Sequence, residues 1–511
     1  MTAGAWRLPP ADDQRPTYLA HVIALTALHG SDPLPDGGYP LPDEGRTRLM
    51  SAGVLDGVRT HHFGSKPNKP AAATLACLID DLVAGSPTIT ALQHLHDTAA
   101  EQDTLAIADT LSGELTDRDL PTDRLRQVGR WLAEYGTRRN AVALGILLLG
   151  SAGDQRDRDL LLALGSLEDV SLYAVVALVR SQPDPEQALF DLARRLTGWG
   201  RIHAVRRLAG TQDPHIKAWL LRQGFRNQIM NQYLAHLAAT TGDLYAALTT
   251  PPVEDELLDG AGDILTALCA GGPAKDITDY PAAPDTVDRY LALVAERPPS
   301  LARVAVVLRL ALFVVSGRAT AMGWSDTTRD TCDRLVERPD WLLAVDQAMD
   351  GPDRSRFRRA VWPARQLGIP TRARIRARLH RDPDDAYLWQ ALTDDIDDVL
   401  ALAHELLPLD RLADGPSLDA GLRADPSHQI LDLIVSRLDA HPGKGWPLLR
   451  TALASPIIRN RDMAVRALDA WPPETVPDDA VAALRQAGAV EPDPAVRDRM
   501  RDLLARAAQH D

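Results

Sequence analysis

Histidines and carboxylates gather in a short stretch near the amino terminus of the sequence. Asp56 is followed by the pair His61–His62, and Asp80–Asp81, His94 and His96 come further along. Such side chains ligate zinc, iron or manganese. His94 and His96 are two residues apart, so they point to different faces of a helix, and no H-x-x-x-H or H-E-x-x-H pattern occurs there. The sequence therefore predicts no metal ion, and the 56–62 segment, interpreted as a loop, stays open as a small-ligand site.

The patterns of common enzymes are missing. The chain contains no G-x-S-x-G elbow, no P-loop and no G-x-G-x-x-G fingerprint. Cys77, Cys269 and Cys332 lie far apart in apolar stretches, so they suggest neither a disulfide framework nor a zinc site nor a haem thiolate. We expect no catalytic residues and no cofactor. Unpaired cysteines and the lack of a signal-peptide pattern predict a cytoplasmic protein.

Polar residues at the starts of several helices form a set that we expect to line a concave groove. Arg, Asn and Trp are common in binding surfaces, and stacked helical hairpins expose one helix layer along such a groove. The same residue types also cap helices and tie one repeat to the next, and both interpretations stay open. The set comprises Trp199, Arg201, His203, Arg206, Arg226, Asn227, Asn231, Arg459, Asn460 and Arg461.

Ten arginines and no acid occur in residues 354–381. A basic ridge on one predicted helix could bind phosphate groups bidentately or dock a protein. Residues 382–398 contain seven aspartates and no positive charge, so an ion-paired structural role is the interpretation that the sequence favours. The ridge is formed by Arg372, Arg374, Arg376 and Arg378.

The elements that carry these residues are predicted to be helices. Of the 511 residues, 45% are hydrophobic, 25% are charged and 5% are aromatic, a globular composition in which the helix formers Leu and Ala recur. Short amphipathic segments follow one another from about residue 121, for example EQALFDLARRL at 186–196, and none alternates as a strand does. Asp-Pro pairs beginning at positions 184, 213, 382, 425 and 493 are expected to open helices, with Asp as the N-cap.

Charge and hydropathy argue against two classes of partner. The 56 basic and 70 acidic residues leave a net charge of -14, which disfavours extensive contact with nucleic acid. The longest apolar run, AVALGILLLG at 141–150, is about half as long as a membrane span. We therefore expect neither nucleic acid nor a membrane as a partner.

Many short helices joined by tight turns predict an all-α fold in which helical hairpins stack. A single hairpin cannot bury its own apolar face, and stacking gives neighbouring hairpins a shared core. We predict a helical amino-terminal cap region with Pro- and Gly-rich loops over residues 1–115, followed by an irregular right-handed α-solenoid over 121–511. The stretch 271–285 is interpreted as a long loop or as a bend in the solenoid.

Three blocks of the sequence resemble bacterial HEAT-like repeat proteins of unknown function: WGRIHAVRRL at 199–208, AWLLRQGFRNQIMNQYLA at 218–235 and SPIIRNRDMAVRALDAW at 455–471. The sequence Asp-Pro-Ala-Val-Arg at 493–497 is similar to the start of the second helix of a HEAT repeat. The resemblance covers about 199–507 and implies an architecture without an established chemistry. Some of these proteins carry a limonene hydroxylase label, which implies an oxygen-activating cofactor for which the chain offers no site.

The sequence thus favours a non-catalytic HEAT-like scaffold or adaptor that holds a protein or peptide in its concave groove. The alternative is an enzyme, or a binder of a small ligand or nucleotide, with its site in the groove or in the 56–62 loop. Alkylpurine DNA glycosylases are built on HEAT-like solenoids and use Trp and Asp side chains in a basic concave groove. Trp199, Trp219 and Trp389 could be imagined as such groove tryptophans, but the net charge and the length of this chain disfavour that activity. A deep closed pocket would favour the enzyme, and a shallow groove the adaptor.

Overall fold

The computed structural model describes residue 8 and residues 15–43, 50–418 and 425–508. Over these residues the secondary structure consists of thirty α-helices, five short 3-10 turns and two π-helical turns, with no strand. The prediction of an all-α protein is confirmed. None of the described helices is both long and apolar enough to cross a membrane.

The helices are numbered in chain order. The first fifteen are α1 (Tyr18–His29), α2 (Ala52–Val58), α3 (Lys69–Ala84), α4 (Ile89–Ala100), α5 (Thr104–Asp117), α6 (Thr122–Tyr135), α7 (Arg139–Ala152), α8 (Arg158–Gly165), α9 (Glu168–Ser181), α10 (Pro185–Ala193), α11 (Trp199–Arg206), α12 (Pro214–Trp219), α13 (Gln232–Thr241), α14 (Leu244–Thr249) and α15 (Asp255–Ala270). The other fifteen are α16 (Ala283–Ala295), α17 (Leu301–Val314), α18 (Gly317–Ala321), α19 (Asp326–Val336), α20 (Pro339–Asp350), α21 (Arg354–Gln366), α22 (Arg372–Leu379), α23 (Ala386–Leu392), α24 (Ile396–Leu406), α25 (Leu409–Leu412), α26 (Pro426–Val435), α27 (Trp446–Leu453), α28 (Ile458–Ala470), α29 (Ala480–Val490) and α30 (Pro494–Ala507). The π-helical turns are Arg59–Phe63 and Leu220–Gly224, and the 3-10 turns are Pro35–Gly38, Gln155–Asp157, Ile277–Asp279, Leu438–Ala440 and Pro473–Thr475.

The chain divides into two compact units. The first contains the described residues up to Pro298 together with Arg309–Cys332. The second contains Pro299–Leu308 and the described residues from Asp333 onward. The predicted bend at 271–285 falls inside the first unit, where the chain forms the 3-10 turn at Ile277–Asp279.

A continuous apolar core runs through α3 to α7 in the first unit, and it includes buried side chains on both sides of residues 115–121. Helices α6 and α7 approach closely at Gly129 and Gly145. A Cβ atom at Gly145 would lie 2.7 Å from Ala133 N and 2.8 Å from Gly129 O, so a larger residue would force the two backbones apart. The apolar run at 141–150 thus forms a buried central helix of this unit.

In two runs of helices, α6 to α15 in the first unit and α26 to α30 in the second, neighbouring helices pack together and alternate helices also contact one another. In the first unit α6 contacts α7, α8 contacts α9 and α10 contacts α11, while α7, α9, α11, α13 and α15 contact one another in succession. In the second unit α27 contacts α28 and α29 contacts α30, while α26, α28 and α30 form a similar series. In both units, therefore, alternate helices contact one another as well as the helices between them.

Aspartate caps begin four of the five helices that the Asp-Pro pairs predict. Asp184, Asp213, Asp425 and Asp493 each accept a hydrogen bond from a backbone N–H of the first turn. The prediction at residue 382 is wrong. Asp385 caps α23 instead, and Asp382 closes a turn and pairs with Arg378 over 2.9 Å. The cap position is thus occupied by the aspartate three residues later in the chain.

The second unit contains a fully buried ion pair between α28 and the residue that follows α29. Arg461 donates to both carboxylate oxygens of Glu491, over 2.6 and 2.7 Å. Its remaining N–H groups reach the carbonyl oxygens of Ser417, Ser455 and Pro456, each at 2.9 Å. A buried charge is tolerated only when it is paired and hydrogen-bonded, and here both conditions hold.

Arg461→Met should lower the free energy of unfolding of the second unit by about 3–5 kcal/mol, because Glu491 would be left buried without its partner. Urea titrations followed by circular dichroism measure the loss. The neighbouring Arg459→Met serves as a control, since Arg459 is exposed and pairs with Asp432 at the surface over 2.9 Å. That control should cost less than about 1 kcal/mol. Equal losses from the two variants would contradict the assignment.

Candidate functional site

The segment that carries Asp56 and the histidine pair is helical. Helix α2 continues at Arg59 into the π-helical turn that ends at Phe63, so the prediction of a loop at 56–62 is wrong. Within it, Thr60 Oγ1 donates to Asp56 O over 2.8 Å, and Gly64 N–H donates to Arg59 O over 2.7 Å. Gly64 has a φ of 71°, a conformation that stops the helix and suits glycine.

A buried ion pair fixes α2 on the first unit. Arg139 Nη2 donates to Asp56 Oδ2 over 2.5 Å, and the same oxygen accepts the Tyr173 hydroxyl over 2.9 Å. Arg139 also donates from Nε and Nη2 to Asp169 O, over 2.9 and 2.7 Å. Burial raises the pKa of Tyr173, so its hydroxyl remains a donor. These bonds tie α2 to both α7 and α9.

A polar recess of about 330 Å³ opens beside this ion pair. Each of the three arginines that line it has a carboxylate partner: Arg59 lies 2.8 Å from Asp103, Arg138 lies 2.9 Å from Glu101, and Arg139 pairs with Asp56. The fourth lining carboxylate, Asp43, accepts hydrogen bonds from the Tyr18 hydroxyl and from Arg139 N–H. The charged groups of this recess are therefore engaged with one another, as in a structural network.

Glu168 holds the amino terminus of α11. Its carboxylate accepts hydrogen bonds from the N–H groups of Thr197, Gly198 and Gly200, over 3.2, 2.7 and 2.9 Å. A negative charge is stabilised at a helix amino terminus, although burial raises the pKa of Glu168. A Cβ atom at Gly200 would overlap Ser171, so glycine is required for the close approach of α11 to α9. This anchor sets the position of Trp199 and, one turn later, of His203.

Five ring side chains meet where the π-helical turn, α11 and α13 come together, and we name them the imidazole cluster: His61, His62, Trp199, His203 and Tyr233. The His61 ring centroid lies 4.7 Å from that of Trp199, 5.1 Å from His203 and 5.7 Å from Tyr233. His62 Nε2 and the Tyr233 hydroxyl form a hydrogen bond of 2.7 Å. Two segments that the sequence offered as separate sites thus lie in one place.

Both inner imidazoles of the cluster are neutral at pH 7. Burial, with smaller contributions from His61, Arg206 and Arg207, lowers the pKa of His203 to about 3. Burial also lowers the pKa of His61, although the nearby Gly57 carbonyl opposes it. Because a carbonyl only accepts, His61 Nδ1, 3.0 Å from Gly57 O, carries the ring proton and Nε2 keeps its lone pair. Nε2 of each ring is buried without a hydrogen-bond partner in the part of the chain that the structure describes.

Sequence reasoning missed this assembly because its members are distant along the chain. His62 and Tyr233, for example, are separated by 171 positions. The segment at 56–62 and the polar start of α11 were both noticed, but no local pattern pairs them. Glu168 and Tyr233 gave no signal at all. Among the described residues, no group of three or more His, Cys, Asp or Glu side chains is arranged to hold a metal ion.

Two predicted groove arginines make contacts inside the first unit. Arg201 Nη1 donates to Arg226 O over 3.0 Å, and its guanidinium lies 5.4 Å from the centre of the Trp219 ring. Arg226 Nη2 lies 2.7 Å from a carboxylate oxygen of Asp263. Arg206 is exposed at the end of α11. Of these three arginines only Arg206 is exposed, whereas Arg201 and Arg226 are half-buried.

Two of the three predicted groove asparagines close the turn before α13. Asn227 Oδ1 accepts from the N–H groups of Ile229 and Met230, over 2.9 and 2.7 Å. Asn231 Oδ1 accepts from Asn227 N–H over 3.2 Å. These are internal ties, and Asn231 in addition lines a larger recess.

That larger recess has a volume of about 680 Å³ and lies beside α13 and α15 in the first unit. Leu312 and Phe313 supply apolar surface, and Leu312 is 53% exposed. Its charged lining consists of Asp263, Arg309 and Arg318. The recess therefore combines apolar and charged surface, as grooves that bind peptides do.

The remaining groove candidates lie in the second unit. Arg459 pairs with Asp432, and Arg461 is the buried arginine described above. Asn460 is also buried and donates to His428 O and Ser455 Oγ, over 3.2 and 3.3 Å. Asn460 and Arg461 therefore stabilise the packing of α26, α28 and the loops between them.

The predicted basic ridge is ion-paired throughout. Its four arginines are the members of α22 that point toward acids of neighbouring helices and turns. The pairs are Arg372 with Asp395 (2.7 Å), Arg374 with Asp346 (2.8 Å), Arg376 with Asp398, and Arg378 with Asp382 (2.9 Å). Three of the partners come from the acidic stretch 382–398, and Asp346 comes from α20.

In a buffer containing EDTA, the free energy of unfolding should fall as the pH falls below 6.5. The His203 pKa of about 3 lies below its ordinary 6.5, so the unfolded chain takes up this proton first and acid favours unfolding. The stabilisation is complete above pH 6.5, and at pH 5 about 2 kcal/mol of it is lost. Urea titrations from pH 5 to 7.5 measure the slope. His203→Gln should flatten it, whereas the exposed control His94→Gln should not; an unchanged slope in both would refute the assignment.

Gly57→Ala should destabilise the first unit by about 1–3 kcal/mol, because a Cβ atom there would overlap the Trp199 ring. Gly113 in α5 is a matched control, since nothing lies within 4 Å of its Cβ position. Gly113→Ala should stabilise the chain by about 0.5–1 kcal/mol through helix propensity. Thermal unfolding of both variants tests the packing of α2 on α11, and a loss of stability at both positions would argue against it.

Comparisons of the chain with known protein families, with curated proteins and with solved structures found no match in any of the three. The geometry of the two recesses and of the imidazole cluster is therefore what bears on function.

Proposed function

We propose that the helices of both units form irregular α-solenoids of HEAT-like hairpins, as in the bacterial proteins that the sequence blocks resemble. The support is the packing of alternate helices, α7 through α15 in the first unit and α26 through α30 in the second. In a solenoid each hairpin packs only on its neighbours and shares its core with them. A right-handed superhelical sense belongs to this proposal.

We propose that the protein is a non-catalytic scaffold or adaptor, and that the 680 Å³ recess of its first unit binds a peptide segment of a partner protein. The observation that carries this proposal is the exposed Leu312 beside two lining arginines in a recess of that size. Apolar surface gives affinity to such a groove, and charged groups at its edges select the sequence that binds.

The charges favour an acidic segment. Two of the three charged lining residues are arginines: Arg309 is exposed, and Arg318 pairs with Asp276 over 2.6 Å. The third, Asp263, pairs with Arg226. A peptide carboxylate would gain a charge-assisted hydrogen bond from a guanidinium. Thr266 Oγ1, which is buried at the recess without a partner among the described residues, is suited to a backbone group of the same peptide.

A cytoplasmic, bacterial setting is part of the proposal. The three cysteines are free thiols, with Cys77 exposed, Cys269 half-buried and Cys332 buried. Free thiols persist in a reducing compartment. The bacterial assignment rests on the sequence resemblance alone.

The test is selection from a displayed peptide library against the full chain. We expect enriched peptides that carry an apolar residue close to Asp or Glu, and Leu312→Arg should weaken their binding at least about tenfold because it removes the apolar anchor. The control is Leu28→Arg, which adds the same charge at a leucine of α1 that is 76% exposed. It should leave binding unchanged.

Charge reversal provides a second, independent arm. Arg309 is exposed, so Arg309→Glu should fold and should shift the selected peptides from acidic toward basic residues. A library that yields no enriched sequence, or peptides that bind the Leu312→Arg variant equally well, would overturn the peptide-binding proposal.

A further inference from the structure

The imidazole cluster contains two buried nitrogen atoms that the fold leaves unused. His61 Nε2 and His203 Nε2 each lack a hydrogen-bond partner among the described residues, although the two ring centroids lie only 5.1 Å apart. A buried polar atom without a partner costs about 1–3 kcal/mol. Such an atom usually marks a bound water molecule or ion.

The orientation of His61 is that of a metal ligand. Its Nδ1–H is directed to Gly57 O over 3.0 Å, which leaves the Nε2 lone pair facing away from α2. Histidines that ligate metals commonly donate their other ring N–H to a backbone carbonyl, because this fixes the tautomer and the ring orientation. The hydrogen bond is set by the helix itself, since Gly57 precedes His61 by one turn.

The surroundings favour a borderline-soft ion. The donors within reach are uncharged imidazoles, which suit zinc, copper and nickel, and no carboxylate belongs to the cluster, as calcium or magnesium would need. Glu168 is occupied by three backbone N–H groups. Arg206 and Arg207, the two arginines near His203, are both exposed, so solvent and salt screen their repulsion of a cation.

We propose that His61 and His203 bind one first-row transition metal ion of the zinc class through their Nε2 atoms. His62 is the third donor within reach: its ring centroid lies 6.4 Å from that of His61, and its exposed side chain is held by the Tyr233 hydroxyl. Because no three ligands are preformed, His62 must rotate, and water completes the shell. The ion would fasten the π-helical turn to α11. This site is separate from the peptide recess and does not depend on the proposed function.

The experiment is a titration of the chelator-stripped full chain with Zn²⁺ by isothermal calorimetry. We expect one ion per chain. His61→Gln and His203→Gln should each weaken binding at least about tenfold, and the double variant should abolish it. His94→Gln, at an exposed histidine of α4, is the matched control and should bind as the wild type does.

Titration with Co²⁺ gives a readout that a purely structural role would not produce. Ligation by imidazole nitrogens should give a visible absorption band that the double variant lacks. Circular dichroism shows whether each variant folds. If His203→Gln does not fold, the Zn²⁺ affinity of His61→Gln, a change at a half-buried side chain, decides the test. Zn²⁺ binding that persists in the double variant, or the absence of one-to-one binding in the wild type, would overturn the proposal and leave water as the partner of these atoms.

Discussion

The ion pair between Asp56 and Arg139 is the interaction on which the geometry of the first unit depends. Helix α2 is only seven residues long, too short to be stable alone, and its buried face is small. The guanidinium ties it to the carbonyl of Asp169 as well as to its own carboxylate partner, and Tyr173 completes the network. This network acts together with the packing of Gly57 on Trp199 and with the His62–Tyr233 hydrogen bond to hold the π-helical turn and its histidines against α11.

Two anchors of opposite type then set the imidazole cluster. The Asp56 network positions one side of the cluster through a buried charge pair, and Glu168 positions the other side through the amino terminus of α11. Helix α13 belongs to the cluster through Tyr233 and to the 680 Å³ recess through Gln232. Adjacent residues of one helix therefore line two different surfaces, and a shift of α13 would change the geometry of both.

The sequence was informative wherever structure is determined locally. Helical spacing predicted the all-α fold, and four Asp-Pro pairs marked helix starts, because caps and amphipathic faces depend on neighbours within one turn. The acidic stretch after the arginine ridge supplies three of the four ion-pair partners, because it forms the turn and helices that follow α22 directly in the chain. Long-range pairings such as His62 with Tyr233, or Asp56 with Arg139, depend on how helices that are distant in the sequence pack together. No single sequence without aligned relatives contains that information.

The 56–62 segment was interpreted as a loop because glycine and adjacent histidines break the expected helical pattern. Gly57 is nevertheless part of a helix, and glycine is needed there because Trp199 leaves no room for a side chain.

The buried arginine of α28 has a consequence for how the second unit is made. During synthesis, Arg461 leaves the ribosome thirty residues ahead of Glu491, the group that neutralises it. Until then the guanidinium can reach the carbonyl oxygens of Ser417, Ser455 and Pro456, which precede it, but no carboxylate neutralises its charge. Helix α28 therefore cannot pack fully against its neighbours without burying an unpaired charge. The packing of α28 in the nascent unit can therefore be completed only after residue 491 has emerged. The same constraint keeps partly made chains from closing into a stable but incomplete fold.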